Sequence, residues 1–232
     1  MPEMDITQRI DNIRRRMADA ARAAQRSPET VQLVCVSKTV AADRIRKAAT
    51  AGATVLGENY VQEARDKIDA LADLELSWHF IGHLQTNKAK YVVRLFDLIH
   101  SVDSLRLANE LNKQAAKVPK VQRVLVQVNV AGEASKSGVD TDEAAALVAH
   151  IDGLEHMTCE GLMTMPPYFD QPERVRPFFR QLCRLRTAIN AERDANRQLS
   201  ELSMGMTGDF EAAIAEGATL VRIGTAIFGE RQ

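Results

Sequence analysis

The chain has 232 residues, of which 45% are hydrophobic and 26% charged, and its formal net charge is −1. This length suits one large α/β domain or two small ones, and it allows a full hydrophobic core. The balanced charge gives no indication of a nucleic-acid or membrane-surface partner, and no apolar run approaches the length needed to span a bilayer.

Helical and strand patterns alternate along the chain. Apolar residues recur at spacings of four, three and four from Ile6 to Met17, which predicts an amphipathic helix over 6–25. Apolar runs then predict eight strands, at 31–38, 54–59, 77–82, 97–102, 121–130, 157–165, 199–204 and 219–224. Helical patterns separate these strands, at 41–52, 60–74, 84–96, 104–117, 141–151, 173–195 and 209–217, and a short turn follows at 225–229.

Eight strand–helix units predict a parallel sheet with right-handed crossovers. At this length we expect a closed (β/α)₈ TIM barrel as a single domain over 1–232, and an open doubly wound sheet is the alternative. The chain ends soon after the eighth predicted strand. We therefore expect the extra amino-terminal helix, 6–25, to take the place of an eighth outer helix.

The first predicted strand ends in "VCVSKTV", which carries Lys38 out of its carboxyl end. Active sites of barrels lie at that end of the strands. Because side chains alternate along a strand, Val34, Val36 and Lys38 share one face, and valines that fill the barrel would direct Lys38 into its mouth. Burial lowers the pKa of a lysine, and the neutral amine forms Schiff bases. The alternative is a rim lysine that extends into solvent without a role.

The loops after strands seven and eight, "LSMGMTGD" and "VRIGTAIFG", carry the residue types of a phosphate site, which barrels often place in these two loops. Ser203 and Thr225 offer hydroxyls, and Gly205 and Gly224 allow a close approach of the backbone. Thr225 also begins a short helical turn with exposed N–H groups. A lysine and a phosphate site in one barrel mouth indicate pyridoxal 5′-phosphate. The alternative is that the glycines only form turns.

Arg222 shares a face with Leu220 and Gly224, so we expect it to point into the barrel. A buried arginine needs a partner. The pyridine nitrogen of the cofactor is one candidate. Because arginine keeps its proton, that nitrogen would stay unprotonated and the ring would be a weaker electron sink. The alternative is an ion pair with a core carboxylate, Glu58 or Glu160.

Several stretches together resemble one known family. They are "VSKTV", "GENYVQEA", "WHFIG" with "LQTNK", "SKSGV", "GLMTM", "LSMGMT" and "VRIGTAIFGER", which follow one another between residues 36 and 231. In them the chain is similar to the pyridoxal phosphate homeostasis proteins, also called the YggS/PROSC family. The resemblance implies the barrel of fold-type III pyridoxal phosphate proteins, similar to the amino-terminal domain of alanine racemase.

The resemblance also implies cofactor contacts, with Lys38 as the Schiff-base lysine. The other implied contacts are the phosphate-binding Ser203, Gly224 and Thr225, Arg222 at the ring nitrogen, and Asn59 and Met204 nearby. The chain departs from the family at His83, where proline is usual, and at Gly208, where a larger residue is usual.

Other candidates are better explained without the cofactor. We interpret His79 as a core histidine, with a contact to the cofactor as the alternative. We interpret Lys136 as a solvated loop lysine, with an anionic ligand at the barrel mouth as the alternative. The histidines show no ligand spacing, so we assign no metal site.

The cysteines and the amino terminus bear on the compartment. Cys35, Cys159 and Cys183 are odd in number and have no CxxC spacing, so we expect reduced thiols and no metal site. The first residues, "MPEMDITQRIDNIRRRM", contain no long apolar stretch, which predicts that there is no signal peptide. We therefore expect a cytoplasmic monomer without nucleic-acid or membrane partners.

Two classes of function stay open. The resemblance implies a carrier or reservoir of pyridoxal 5′-phosphate that affects amino-acid and keto-acid balance, with apo-enzymes as acceptors. The alternative is an amino-acid racemase. Racemases of this fold type resemble a barrel plus a β domain that supplies a catalytic tyrosine, whereas this chain stops at Gln232 and has only Tyr60, Tyr91 and Tyr168. We expect the carrier, without strong catalytic activity.

Overall fold

Eight parallel strands close into a barrel in the computed structural model, which describes residues 4–133, 136–167 and 169–229. Each strand pairs with the next along the chain, and the last pairs with the first. The closed ring confirms the predicted barrel and excludes the open doubly wound sheet. The strands are β1 (Gln32–Val36), β2 (Val55–Glu58), β3 (Ser77–Phe80), β4 (Leu98–Val102), β5 (Gln122–Gln127), β6 (Met157–Met163), β7 (Glu201–Ser203) and β8 (Leu220–Ile223).

Helices follow the strands as predicted, with shorter ends. They are α1 (Ile6–Ala23), α2 (Ala42–Thr50), α3 (Val61–Ala70), α4 (Ala89–Leu95), α5 (Leu105–Ala115), α6 (Ala144–Asp152), α7 (Arg176–Ala191), α8 (Phe210–Ala215) and α9 (Thr225–Phe228). The strands also end earlier than the apolar runs predict. Val128 and Val130, for example, are buried although β5 ends at Gln127. Val128 still forms an isolated bridge with Val139, and Val130 packs against the core from the loop.

The amino-terminal helix α1 completes the outer ring. Its side chain Arg16 forms an ion pair with Glu211 of α8. On its other side, Arg14 donates to the carbonyls of Ala51 and Gly52 at the end of α2, at 3.0 and 2.6 Å. The helix therefore lies between α8 and α2, which is the position that the sequence predicts for it.

Apolar side chains form two separate cores. The larger core lies between the strands and the outer helices. The smaller one fills the barrel itself and consists of Val34, Val55, Leu98, Leu125, Met163 and Leu220. Because side chains alternate along a strand, the next inward residues after Val34 and Leu220 are Val36 and Arg222, nearer the carboxyl ends. The inner core thus supports the floor of the barrel mouth.

The cysteines are free thiols. Burial raises the pKa of Cys35 and of Cys159 to about 12, so neither is ionised near neutral pH. Within the described ranges, no helix has the length and apolar character that crossing a bilayer requires. The same ranges contain no cluster of side chains suited to holding a metal ion.

Candidate functional site

A cavity of about 690 Å³ opens at the carboxyl ends of the strands, within the roughly 300–1,000 Å³ that is typical of small-ligand pockets. Five of the seven predicted cofactor contacts line it: Lys38, Asn59, Arg222, Gly224 and Thr225. They come from the ends of β1, β2 and β8, which lie side by side in the ring. The structure therefore brings together residues that are up to 187 positions apart in the chain, Lys38 and Thr225.

Lys38 lies in the wall of this cavity and is partly buried. Val36, two residues before it, lines the same cavity, and Val34 belongs to the inner core. The predicted alternation along β1 is thereby confirmed, and Lys38 points into the barrel mouth. Its role as a Schiff-base lysine stays a prediction.

Arg222 is buried, with 4% of its surface exposed, and still lines the cavity. Its Nη1 donates to the Ser203 hydroxyl at 2.5 Å, and its Nη2 donates to the carbonyl of Thr164 at 2.9 Å. Burial lowers the pKa of Arg222 to about 10, so the guanidinium stays protonated at neutral pH. The barrel thus holds a fixed, charged hydrogen-bond donor beneath the cavity.

The alternative partners considered for Arg222 are wrong. Glu58 accepts from Lys67 at 2.7 Å on the outer side of the sheet. Glu160 accepts from Arg123 at 2.6 and 2.8 Å. Each carboxylate is held by another cation, and Arg222 has its own partners in Ser203 and Thr164.

Ser203 and Met204 are fully buried and are not among the described residues that line the cavity. The backbone register pairs Ser203 with Leu220 of the inner core, which places the serine one layer below the mouth. Its hydroxyl accepts from Arg222 and lies 2.8 Å from His100 Nδ1. In this arrangement Ser203 supports Arg222, and its contact with a phosphate stays a prediction.

A second imidazole extends the buried hydrogen bonds that run from Arg222 through Ser203 to His100. His100 Nε2 lies 3.0 Å from His79 Nδ1. Burial lowers the pKa of His79 to about 4 and that of His100 well below its ordinary value. Each neutral imidazole offers one donor and one acceptor, so the hydrogen bonds that join Ser203, His100 and His79 form without a charged imidazole. His79 is therefore a core histidine, as interpreted, and strand alternation after Leu98 could have indicated that His100 points inward.

The cavity wall carries more positive than negative charge. Its cationic side chains among the described residues are Lys38, Lys136 and Arg222, and its carboxylates are Asp170 and Asp209. Burial raises the pKa of Asp209, while its hydrogen bond from the Met206 N–H and the charge of Arg222 oppose that rise. This balance suits an anionic ligand. Lys136 is both an exposed loop lysine and part of the wall, so the two interpretations of it are compatible.

The loop after β7 contributes a hydroxyl that sequence reasoning missed. Thr207 lines the cavity, and the same "SMGMTGD" stretch that drew attention to Ser203 contains it. The two departures from the family pattern, His83 after β3 and Gly208 after β7, also line the cavity. A Cβ on Gly208 would meet nothing within 4 Å, and His83 is exposed, 3.4 Å from the Ser137 hydroxyl. Neither departure blocks the cavity.

The turn from β8 into α9 lies against the end of β1. A Cβ on Gly224 would come within 3.1 Å of the Val36 carbonyl oxygen, so the absence of a side chain there permits the contact. The close approach carries Thr225 to the part of the wall that holds Lys38. The predicted contact of Gly224 with a phosphate stays a prediction.

A lysine at the end of the first strand and an arginine inside the last define a class of barrel. Residues 9–232 match the family described as the alanine racemase N-terminal domain. A solved alanine racemase from Corynebacterium glutamicum superposes with a TM-score of 0.71 at 16% identity, covering 99% of this chain and 63% of the racemase. At that identity the likeness shows the fold.

More similar proteins identify the family. A curated relative from Aquifex aeolicus (strain VF5), named pyridoxal phosphate homeostasis protein, is 47% identical over 229 residues, which are 99% of this chain and 100% of the relative. The structure of PipY from Synechococcus elongatus PCC7942, described as having PLP bound, superposes with a TM-score of 0.84 at 35% identity, covering 97% of this chain and 100% of PipY. The chain belongs to the pyridoxal phosphate homeostasis protein family, as its motifs indicate.

Proposed function

We propose that this protein binds pyridoxal 5′-phosphate through a Schiff base on Lys38 and acts as a carrier in pyridoxal phosphate homeostasis. The observation that carries the proposal is the position of Lys38 in a cationic cavity at the carboxyl ends of the barrel strands. The name of the Aquifex relative and the PLP bound to PipY support it.

The donors and acceptors of the wall fit the cofactor. When bound, pyridoxal 5′-phosphate supplies an aldehyde that an amine can attack and a ring that withdraws electrons. Lys38 offers the amine, and Thr225 and the Gly224 backbone offer donors for a phosphate. Asn59 Oδ1 is buried without a hydrogen-bond partner among the described residues, and a buried acceptor of this kind needs a donor.

The contacts of Arg222 bear on the chemistry that a bound cofactor could support. Ser203 and Thr164 hold the guanidinium in place, and it stays protonated at neutral pH. A ring nitrogen beside it would accept a hydrogen bond and keep its lone pair. Such a ring stabilises a carbanion poorly, which weakens amino-acid chemistry while leaving attachment to Lys38 possible.

A racemase stays the second candidate because the alanine racemase fold is shared. Racemisation needs a base on each face of the substrate. Tyr60 and Tyr91 are exposed and do not line the cavity within the described part of the chain, and Tyr168 lies outside the described residues. The tyrosine of a racemase therefore has no counterpart in the described wall.

The partners and the compartment are also part of the proposal. We infer that apo-enzymes that need the cofactor act as acceptors, that the protein acts as a cytoplasmic monomer, and that one domain spans 1–232. The three free thiols are consistent with a reducing compartment.

Trapping the Schiff base tests the proposal. The protein is incubated with pyridoxal 5′-phosphate and reduced with borohydride, and the adduct is located by peptide mass spectrometry. We expect the adduct on Lys38, its loss in Lys38→Arg, and its retention in the control Lys136→Arg, which changes another lysine of the same wall. An adduct on a different lysine of the wild type, or no adduct, contradicts the assignment.

A second measurement separates carrier from racemase. The loaded protein is incubated with L-alanine in heavy water, and deuteration at Cα and chirality are followed. We expect neither to change at an enzyme-like rate, and we expect the cofactor to pass to an added apo-enzyme. Turnover that disappears in Lys38→Arg would establish the racemase instead.

A further inference from the structure

A cluster of charged side chains lies behind Lys38, on the outer face of the sheet. Lys67 of α3 has only 7% of its surface exposed. Its Nζ donates to Glu58 Oε1 at 2.7 Å, to Glu63 Oε1 at 2.6 Å and to the carbonyl oxygen of Ser37 at 2.5 Å. An ammonium group has three protons to donate, so these three acceptors satisfy it fully.

Each residue next to Lys38 is bound by this cluster. Ser37 donates its hydroxyl to Glu58 at 2.6 Å, and its carbonyl accepts from Lys67. Thr39 donates its backbone N–H to Glu63. The two peptide units that flank Lys38 are therefore anchored by side chains from β2 and α3.

The backbone at Thr39 is in an unusual conformation. Its φ is +63°, in the left-handed region, where a β-branched residue is a genuine outlier. Such a conformation costs roughly 1–3 kcal/mol and persists only when the surroundings impose it. The hydrogen bond from the Thr39 N–H to Glu63 is one such constraint.

The cluster and the cavity lie on opposite faces of the sheet. A Cβ on Gly57 would come within 3.0 Å of Val34 of the inner core, so Gly57 faces inward and Glu58, next in the strand, faces outward. The same alternation turns Ser37 outward and Lys38 inward. The cluster therefore acts on the backbone of Lys38 from behind and leaves the cavity clear.

We propose that Lys67, Glu58 and Glu63 are positioning residues that hold residues 37–39 so that the amine of Lys38 faces the cavity. The inference rests on the proposed attachment of the cofactor to Lys38. Without the cluster, Thr39 relaxes to an ordinary conformation and Lys38 samples other directions. The amine then reaches the productive geometry less often, and the Schiff base forms more slowly.

Two variants of one residue test the link to Thr39. Glu63→Ala removes the acceptor for the Thr39 N–H, whereas Glu63→Gln keeps an oxygen in its place. The side chain of Glu63 is partly exposed, so both variants should fold. Lys67→Met removes the ammonium group that joins Glu58, Glu63 and the Ser37 carbonyl, and Lys120→Met is its matched control. Lys120 donates to the carbonyls of Val93 and Phe96, away from the cavity.

Two readouts are taken for each folded variant. The first is hydrogen exchange of the peptide 34–41 in protein without added cofactor. The second is the rate constant for Schiff-base formation with pyridoxal 5′-phosphate, followed by absorbance. For Glu63→Ala and Lys67→Met we expect exchange at least about tenfold faster and Schiff-base formation at least about fivefold slower than in the wild type. Glu63→Gln and Lys120→Met should stay within about twofold on both readouts.

The outcomes decide between positioning and mere stabilisation. Unchanged exchange in Glu63→Ala overturns the anchor, and faster exchange with an unchanged rate constant overturns its effect on Lys38. If Lys67→Met does not fold, the pair Glu63→Ala and Glu63→Gln decides alone. If the wild type forms no adduct on Lys38, the proposed function fails. The exchange data then still show whether the anchor holds residues 37–39.

Discussion

Two buried polar networks lie at the carboxyl ends of the strands, one behind Lys38 and the other beneath Arg222. The network behind Lys38 is charged and consists of Lys67 between Glu58 and Glu63. The network beneath Arg222 runs through Ser203 and two imidazoles whose pKa values are lowered by burial. Apart from the arginine, the second network is neutral at neutral pH.

The difference shows two ways of keeping polar groups in a core. Carboxylates and a carbonyl surround the buried lysine, and their hydrogen bonds and ion pairs offset its removal from water. A buried histidine has an accessible neutral form, so it gives up its charge instead. The first network should therefore fail when one partner is deleted, and the second when the pH falls.

The largest effect is expected from Lys67→Met. The variant leaves Glu58, which is fully buried, without its ammonium partner. Breaking a buried ion pair from one side costs about 3–5 kcal/mol of the free energy of unfolding. Urea unfolding measures it, with Lys120→Met as the control that loses a half-buried lysine elsewhere. A loss below about 1 kcal/mol would show that the cluster behaves like a surface ion pair.

A smaller effect is expected from acid. The pKa of His79 is about 4 in the folded protein, below its ordinary value of 6.5. As the pH falls, the unfolded chain takes up this proton first, so stability that is present above pH 6.5 is lost towards pH 4. The shift corresponds to a loss on the order of 3 kcal/mol.

Urea unfolding at neutral pH and at about pH 4.5 measures this dependence of stability on pH. His79→Gln keeps a hydrogen-bonding side chain beside His100 but does not titrate, so the part of the loss that His79 contributes should disappear, while the part from His100, whose pKa is also lowered by burial, should remain. His156→Gln, a histidine outside the barrel interior, should retain it. Equal losses in His79→Gln and the wild type would assign the acid sensitivity to other groups.

Two buried serines compare the networks directly. Ser203→Ala leaves a buried proton of Arg222 without its acceptor and should cost about 2 kcal/mol of unfolding free energy. Ser37→Ala removes a hydroxyl, but Glu58 keeps Lys67 and the Ser37 carbonyl is untouched, so about 1 kcal/mol is expected. Calorimetry measures the loss of unfolding free energy in both variants. A larger loss in Ser37→Ala than in Ser203→Ala would show that losing a hydrogen bond to Glu58 behind Lys38 costs more than losing one to Arg222.

An effect of similar size concerns ligand affinity in the cavity between the networks. Thr225 and the Gly224 backbone should favour the phosphorylated aldehyde over free pyridoxal. Charge-assisted hydrogen bonds to a phosphate should make pyridoxal bind at least about tenfold more weakly, which is about 1.4 kcal/mol. Titration of the wild type with both compounds measures the ratio. Equal affinities would place the phosphate away from this loop.

The sequence by itself determined the barrel and the position of Lys38. Alternating apolar runs and helical patterns are local signals, so they indicated eight strands, the helices between them and the extra helix that completes the ring. Strand alternation also determined that Lys38 and Arg222 face inward. The glycines mark turns and a close approach, and their effect is local as well.

Only the tertiary structure decided which polar groups meet. Ser203 contacts Arg222 and His100 instead of the cavity because its depth depends on the register of β7 against β8, which no single strand contains. Glu58 pairs with Lys67, nine residues further on, because α3 covers the outer face of β2. Partners of buried polar groups depend on packing between elements, and that packing has no signature in the order of residues along one chain.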